Sequence, residues 1–257
     1  MSAAHRDPVA DRLLRILESF DERHRELTLS AIAHRTGLPL ATAHRMVHRL
    51  AAWGALERGD RGAYHIGLRL WEVATLAPRS LGLRQAALPF MEDLYETTHE
   101  NVQLAVLDGV DTLYIELISG RSAVLVRTRI GSRWPLHATG VGLVLLAHSD
   151  PDLQERVCAT PLQRFTEFTI TDPARLRAVL AEVRRTGGAM SDRQITDDAV
   201  SVAAPVRGAD GRVAAAVSLV VPFADGNAHT PLPAVRLAAR GISHALGWSG
   251  AAQRRTA

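Results

Sequence analysis

The stretch from Thr28 to Leu50, TLSAIAHRTGLPLATAHRMVHRL, constrains the fold more than any other part of the chain. It reads as two short helices joined by a tight turn. Leu29, Ile32 and Ala33 share one face of the first helix, Thr28–Arg35, and Thr28 is placed to cap its free amide groups. Gly37 supplies a left-handed turn that a bulkier residue resists. Leu38 fills the corner. Pro39 is expected to open the second helix, where it has no intrahelical bond to lose. That helix is expected to run to about Ala52, with Ala43, Met46, Val47 and Leu50 as its apolar stripe, spaced three and four apart.

The other face of the second helix carries Thr42, His44, Arg45, His48 and Arg49. No Asp or Glu occurs from Leu27 to Leu56, whereas Arg35, Arg45 and Arg49 do. A helix that enters a major groove needs such a face, because its side chains must donate to phosphates and base edges. A solvated helical hairpin gives the same local pattern, so the surroundings carry weight. Met1–Trp71 holds 11 Arg and 8 acids, whereas the remainder holds 19 of each, so the whole net charge of +3 sits in the N-terminal part. A local basic excess of this kind suits a nucleic-acid partner. Every one of the 30 basic residues is Arg, a bias that raises the isoelectric point without specifying a mechanism.

The rest of the N-terminal part completes a known architecture. Pro8–Phe20 is an amphipathic helix expected to pack across the pair. Ala55–Arg58 and Ala63–Ile66 read as two short strands around Gly59-Asp60-Arg61-Gly62, which makes the unit a winged helix-turn-helix. Arg58 and Arg61 at the wing tip are placed to reach a DNA backbone or minor groove, or else are simply solvated. The candidate DNA-binding residues are Thr28, Thr42, His44, Arg45, Arg49, Arg58 and Arg61. Thr42, His44 and Arg45 should face the groove, with Arg49 nearer a phosphate.

Leu68–Leu76 reads as a linker helix, and Pro78 places a domain boundary near residues 77–80. After the helix Leu83–Thr98 the hydrophobic period changes to two. Val102–Val106, Thr112–Ile118 and Ala123–Ile130 are expected strands of an antiparallel sheet. Helices are expected at Gly140–His148, Pro151–Ala159, Pro173–Thr186 and Leu232–Leu246, with strands at Met190–Ile195, Val200–Arg207 and Arg212–Val221. Met1–Asp7 and Gly250–Ala257 are expected to fray. Strands and helices mix without strict alternation, so the fold class is α+β. The domain assignment is 8–67 for the winged helix, 68–80 for the linker and 81–249 for the second domain.

The chain resembles the IclR family of bacterial transcriptional regulators. The resemblance rests on LTLSAIAHRTGLPLATAHRMVHRL, YHIGLRLWEVA, PLHATGVGLVLLA, TITDPARLRAVLAEVRRTG and VAAPVRGADGRVAAAVSL, five stretches in order over residues 8–248. It implies a winged helix-turn-helix, a linker helix and a C-terminal effector-binding domain of GAF-like fold. It also implies a homodimer or homotetramer on a palindromic double-stranded operator, repressing or activating a metabolic or catabolic operon. Its effector positions fall on Gly140, Val141, Ser191, Asp192, Ser201, Ser218 and Val220. The chain departs from the family pattern at several of these. Gly140 follows LHAT where an alanine is common, Ser201 stands for a cysteine, Ser191-Asp192 for an acidic pair and Val220 for a serine. Ala31 stands where Glu is common in the first motif helix.

The residues themselves support a pocket there. If Asp210-Gly211 forms a two-residue turn, Ala209 faces Arg212, Ala203 faces Ser218 and Ser201 faces Val220. Ser201, Ala203, Ser218 and Val220 then share a small-residue face opposite Val202, Val217 and Leu219. Such a face is either a seat for a close-packed helix or the floor of a ligand site. Gly140 opens a helix whose first amide groups suit an anion, while Arg127 and Arg129 are expected to be solvated. This lining is poor in polar groups, so a carboxylic acid with an aromatic or apolar body is expected in preference to glyoxylate or pyruvate. Gly140→Val is expected to block it.

Other chemistry finds little support. Cys158 is the only cysteine, which excludes an internal disulfide and a cysteine zinc cluster. His44 and His48 have a zinc-compatible spacing, but Arg45 stands between them and no HExxH pattern exists. No GxSxG elbow is present, and Gly140-Val141-Gly142 is a weak nucleotide signal. The expectation is a non-enzymatic regulator without metal or cofactor. The alternative is a small-molecule sensor or enzyme whose winged helix binds protein. With no apolar leader and no spanning segment, the expected location is cytoplasmic, without membrane contact.

Overall fold

The computed structural model describes residues 8–21, 23–76, 81–120, 123–223 and 231–250. The expected frayed end Met1–Asp7, all of the expected frayed end Gly250–Ala257 except Gly250, and the boundary at residues 77–80 lie outside the described residues. The chain divides into two compact units, Met1–Leu81 and Gly82–Ala257.

The first unit holds α1 (Val9–Glu18), α2 (Leu29–Thr36), α3 (Leu40–Trp53), β1 (Leu56–Arg58), β2 (Tyr64–Ile66) and α4 (Leu68–Ala74). The Thr28 side chain caps α2 by accepting from the Ala31 amide at 3.2 Å. Gly37 ends α2 at φ 68° with no side-chain cost. Pro39 is the N-cap of α3 and not its first residue: its ψ of 138° is extended, which leaves its carbonyl free to accept from Ala43. Ala43, Met46, Val47 and Leu50 are buried as the period requires, against Ile16 and Ile32. Truncating Ile32 or Met46 to alanine in such a core costs about 2–5 kcal/mol. The wing has a third partner that the sequence did not disclose. Leu27 and Tyr64 exchange both backbone hydrogen bonds, at 2.9 and 2.8 Å, so the segment before α2 ties the hairpin down. Gly67 closes the wing: an added Cβ would lie 2.2 Å from the Gly54 carbonyl oxygen.

The second unit begins with α5 (Leu81–Thr98) and contains a six-stranded sheet. Its strands are β3 (Asn101–Asp108), β4 (Asp111–Ile118), β5 (Arg133–Pro135), β6 (Ala189–Asp192), β7 (Ala199–Arg207) and β8 (Val213–Pro222), in the antiparallel order β5-β4-β3-β8-β7-β6. Helices α6 (Gly140–Ala147), α7 (Pro151–Ala159) and α8 (Pro173–Thr186) cover one face, and α5 with α9 (Leu232–Ala245) covers the other. The bulky strand face, including Leu104, Val217 and Leu219, packs on Met91 and Ile242. The small face, including Ala105, Ala203 and Ala216, receives α6, whose eight residues are all buried.

Two expectations fail here. Residues 123–130 form no strand; they run as irregular chain, and the edge partner of β4 is the short β5, which the sequence pattern did not reveal. Alternating apolar residues do not make a strand where the flanking Gly131, at φ 83°, and the Arg129–Ser132 turn bend the chain back. The β7–β8 hairpin pairs Ser201 with Val220 and Ala203 with Ser218 as expected, yet its turn is not a two-residue one. A bulge pairs Arg207 with Val213, and the Asp210 carboxylate accepts from the Arg212 amide at 3.0 Å, which widens the loop.

Candidate nucleic-acid interface and effector cavity

Helix α3 presents His44, Arg45, His48 and Arg49 to solvent, with Thr42 half-buried beside them. The imidazoles of His44 and His48 meet edge to face, with ring centroids 4.4 Å apart. Arg45 and Arg49 make no hydrogen bond or ion pair among the described residues, so both guanidinium groups are available to a partner. Arg35 differs. Its guanidinium donates to the Ser19 carbonyl at 2.8 Å and to the Asp21 carboxylate at 2.6 Å. The acid-free stretch therefore contributes two free arginines, the third being a strut between the α1 exit and α2. Thr28 is exposed but committed to its cap. On the wing, Arg58 lies 5.9 Å from the Tyr64 ring centroid, and Arg61 is exposed at the tip.

The second unit contains a narrow cavity of about 60 Å³ between the sheet, the start of α6 and the irregular segment after β4. Of the positions expected to meet an effector, Ser191, Ser201 and Val220 line it. Gly140, Val141, Asp192 and Ser218 are not among its lining residues. Their surroundings explain this. A Cβ on Gly140 would lie 2.7 Å from the Ser201 hydroxyl, so Gly140 lets α6 sit directly on β7. Val141 is wholly buried in the helix–sheet core. Ser218 is also fully buried and donates to Gln103 Oε1 at 3.4 Å. The Asp192 carboxylate accepts from Arg193 at 2.9 Å. The small-residue face thus serves both purposes, seating a helix at one end and flooring a cavity at the other.

Several lining residues were not foreseen. Gln103 pairs with Ser218 across β3 and β8, which puts it on the small face, and its amide donates to the Thr128 hydroxyl at 2.5 Å. A glutamine inside the apolar run VQLAV was the available signal. Leu125, Val126, Arg127 and Thr128 come from the segment misread as a strand, and Arg127 faces the cavity. Tyr114 reaches it from β4, with its phenol held well above the usual range by burial, an effect that bonds to Thr139 and Thr112 oppose. Thr139 caps α6 by accepting from the Gly142 amide at 3.0 Å. Gln194, Ile195, Thr196 and Ala199 form the remaining wall. This loop is anchored by Thr169, whose hydroxyl donates to the Gln194 carbonyl at 2.7 Å. His137 is a buttress. Its Nε2 donates to the Gln163 carbonyl at 2.9 Å, and burial holds its pKa below the ordinary imidazole value.

The cavity therefore combines an apolar wall with amide and hydroxyl groups and one guanidinium. No helix among the described residues is long and apolar enough to cross a membrane, and no group of three or more metal-ligating side chains occurs among them.

Comparison with known proteins agrees with both halves. Residues 9–60 match the IclR helix-turn-helix domain, and residues 75–244 match the family described as bacterial transcriptional regulator IclR C-terminal. The chain is 32% identical over 211 residues to the HTH-type transcriptional regulator XynR of Escherichia coli (strain K12), covering 81% of this chain and 84% of that protein. It is 33% identical over 225 residues to BhcR of Paracoccus denitrificans (strain Pd 1222), covering 86% and 81%. The crystal structure of an IclR homolog complexed with 4-hydroxybenzoate from Microbacterium hydrocarbonoxydans is similar with a TM-score of 0.88 and 40% identity, covering 93% of this chain and 99% of that one. The donor face of α3 and the walled cavity of the second unit are thus features of a chain that belongs to the IclR family of bacterial transcriptional regulators.

Proposed function

We propose that the chain reads a near-palindromic operator as a dimer or tetramer through α3, and that a carboxylic acid with an aromatic or apolar body controls it from the cavity of the second unit. The observation that carries the first half is the exposed face of α3, which offers Arg45 and Arg49 unpaired and no carboxylate. One winged helix reads only a short half-site, so useful affinity calls for two related by a two-fold axis. Val9 and Leu14 of α1 and Leu68, Trp71 and Val73 of α4 are exposed and apolar, which suits contact between copies.

For the effector, Leu125, Val126, Ile195 and Val220 suit the body of an aromatic ring, and Arg127 is the one charged group of the lining. Gln103, Thr128 and Ser201 can meet a second polar end. The similar regulator solved with 4-hydroxybenzoate has that division of chemistry in its ligand. Pyruvate or glyoxylate would leave the apolar wall unfilled, forgoing about 25 cal/mol per Å² of apolar area.

A thermal-shift panel with 4-hydroxybenzoate, other aromatic acids, medium-chain acids, pyruvate and glyoxylate tests the effector. Gel shifts on the DNA upstream of the chain's own gene, with and without the stabilising acid, test the control. Aromatic or medium-chain acids should raise the melting temperature, and Arg127→Ala should reduce the shift. Stabilisation by pyruvate or glyoxylate alone would overturn the effector class. A sharp footprint from a monomer over a single half-site would overturn the assembly.

A further inference from the structure

The second unit has another concave site, at the Arg207 end of β7, whereas the effector cavity takes Ala199 and Ser201 from the other end. It is an open cleft of about 390 Å³, within the range of small-molecule sites of roughly 300–1,000 Å³. Five arginines line it: Arg184 and Arg185 from the end of α8, Arg207 from β7, and Arg236 and Arg240 from α9. No carboxylate is among its lining residues. Chance does not readily give this, because the chain after Trp71 holds 19 Arg and 19 acids and is neutral by count.

Partial structural duties account for the positions of these arginines but leave their charge in place. Arg184 donates to the Ala147 carbonyl at 3.1 Å and Arg236 to the Thr186 carbonyl, so each supports the C-terminal end of a helix. Arg207 donates to the Gly211 carbonyl at 2.8 Å. Carbonyl acceptors satisfy donors without neutralising a cation. Among the described residues, only Arg185 of the five has a carboxylate partner, Glu182, on its own helix. Arg240 is exposed and has no bonded partner among the described residues. The Nε of Arg236 is enclosed and donates to no acceptor among them. Like charges gathered in one concavity repel each other and focus a positive potential there. His148, at the same cleft, adds no compensating negative charge; burial holds its pKa below the ordinary imidazole value, with Arg207 and Arg184 lowering it further.

We propose that this cleft binds a polyphosphate chain, carried by a nucleoside triphosphate or by an inorganic polyphosphate. Guanidinium groups match phosphate oxygens in a planar, two-pronged way, and several together suit adjacent phosphates better than a single carboxylate. Trp248 is half-buried at the cleft and offers an aromatic face, which is the feature that would favour the nucleoside form. The site is separate in its lining from the effector cavity, so a bound polyphosphate would be a second input to the same regulator.

Isothermal titration of the full-length protein with ATP, GTP and sodium tripolyphosphate at low salt tests this. Binding should be detected, weaken as salt is raised, and fall about tenfold for each of Arg240→Gln and Arg207→Gln, the loss of one charge-assisted contact. Arg45→Ala serves as a control for adventitious binding at the DNA-reading helix and should leave the affinity unchanged. Tighter binding of ATP or GTP than of tripolyphosphate, lost in Trp248→Ala, assigns the nucleoside form. Equal binding that ignores Trp248→Ala assigns the inorganic one. No binding of any of the three, or binding that Arg240→Gln and Arg207→Gln leave untouched while Arg45→Ala abolishes it, would overturn the proposal. It would also fall if the two cleft variants, with melting temperatures like wild type, weakened operator binding but not tripolyphosphate binding.

Discussion

Gly142→Ala should destabilise the second unit although alanine is the better helix former. Gly142 lies in the first turn of α6, the helix whose cap residue Thr139 lines the proposed effector cavity. A Cβ there would lie 2.4 Å from the Leu136 carbonyl oxygen, 2.8 Å from the Leu136 Cα and 2.6 Å from the Thr139 hydroxyl oxygen. Two of these three atoms are backbone and cannot rotate away. Overpacking of this kind costs about 1–3 kcal/mol. The third atom accepts the capping bond from the Gly142 amide, and losing a cap costs about 1 kcal/mol more. Against this, alanine gains up to about 1 kcal/mol in helix propensity. The net loss is about 1–3 kcal/mol, and for a unit of this size 2 kcal/mol corresponds to roughly 4–8 °C in melting temperature. Gly140→Ala should cost less, because its worst contact, 2.7 Å, is with the Ser201 hydroxyl, which can turn aside. Scanning calorimetry of the two variants and wild type measures the order directly. A Gly142→Ala protein that melts like wild type, or one that melts above Gly140→Ala, would refute the packing account. The same geometry changes the meaning of Gly140→Val. Its added atoms press first on Ser201 and the β7 backbone, so a lost response in that variant would report disturbed packing before it reported a blocked ligand.

Three further outcomes are expected. Arg45→Ala should weaken specific operator binding by about 1–3 kcal/mol with little change in non-specific binding, whereas Arg49→Ala should weaken both and reduce the salt slope by about one, measured by footprinting at several salt concentrations. Thr28→Ala should cost about 1 kcal/mol of stability in the first unit through the lost α2 cap, read by calorimetry; a loss of DNA affinity without a loss of stability would show that Thr28 acts on the DNA instead. The Asp21 carboxyl is held below its ordinary value chiefly by its hydrogen bond to His24, with smaller help from the Arg23 amide and the charges of His24 and Arg35. A depressed carboxylate contributes stability above its ordinary value of 3.8, and that contribution disappears as pH falls through the lower folded value. Asp21→Asn should therefore lower stability at neutral pH and flatten its fall below pH 4, seen in acid titrations of the first unit's unfolding.

What the sequence disclosed, and what it withheld, follows from the range of the interactions. The helix pair of the first unit was legible because its signals are local: a capping threonine, a glycine at φ 68° and a stripe with the helical period. The pairing of Ser201 with Val220 was legible because the alternation of small and bulky residues specifies the register, even though the turn that was expected to set it is a wider, bulged one. The tie between Leu27 and Tyr64 was not legible, since one backbone bridge across 37 positions leaves no pattern in either segment. The segment 123–130 misled for the opposite reason. Its alternation looks like a strand, yet Leu125, Val126, Arg127 and Thr128 line a cavity and pair in no ladder; Arg127 is exposed, as expected, and stands at that cavity as well.

The clearest case is the pair Asp192 and Arg193. Family resemblance placed Asp192 at the effector, but its carboxylate is engaged by the neighbouring guanidinium at 2.9 Å. That guanidinium in turn lies 3.8 Å from the ring centroids of both Phe168 and Phe223. Arg193 also takes a left-handed φ of 51°, uncommon for a residue with a side chain and held only where the surroundings insist on it. Each cation–π contact is worth about 0.5–2 kcal/mol, enough for the pair to offset that backbone cost. The left-handed residue turns the chain out of β6, so that Gln194, Ile195 and Thr196 come round to wall the cavity. Ser191, one residue before Asp192, donates to the Ala138 carbonyl at 2.8 Å and ties the same strand to the residues that lead into α6. Asp192 thus shapes the proposed effector cavity from behind: it orients the arginine that bends the wall, while Ser191 holds the wall to the helix start that Thr139 caps.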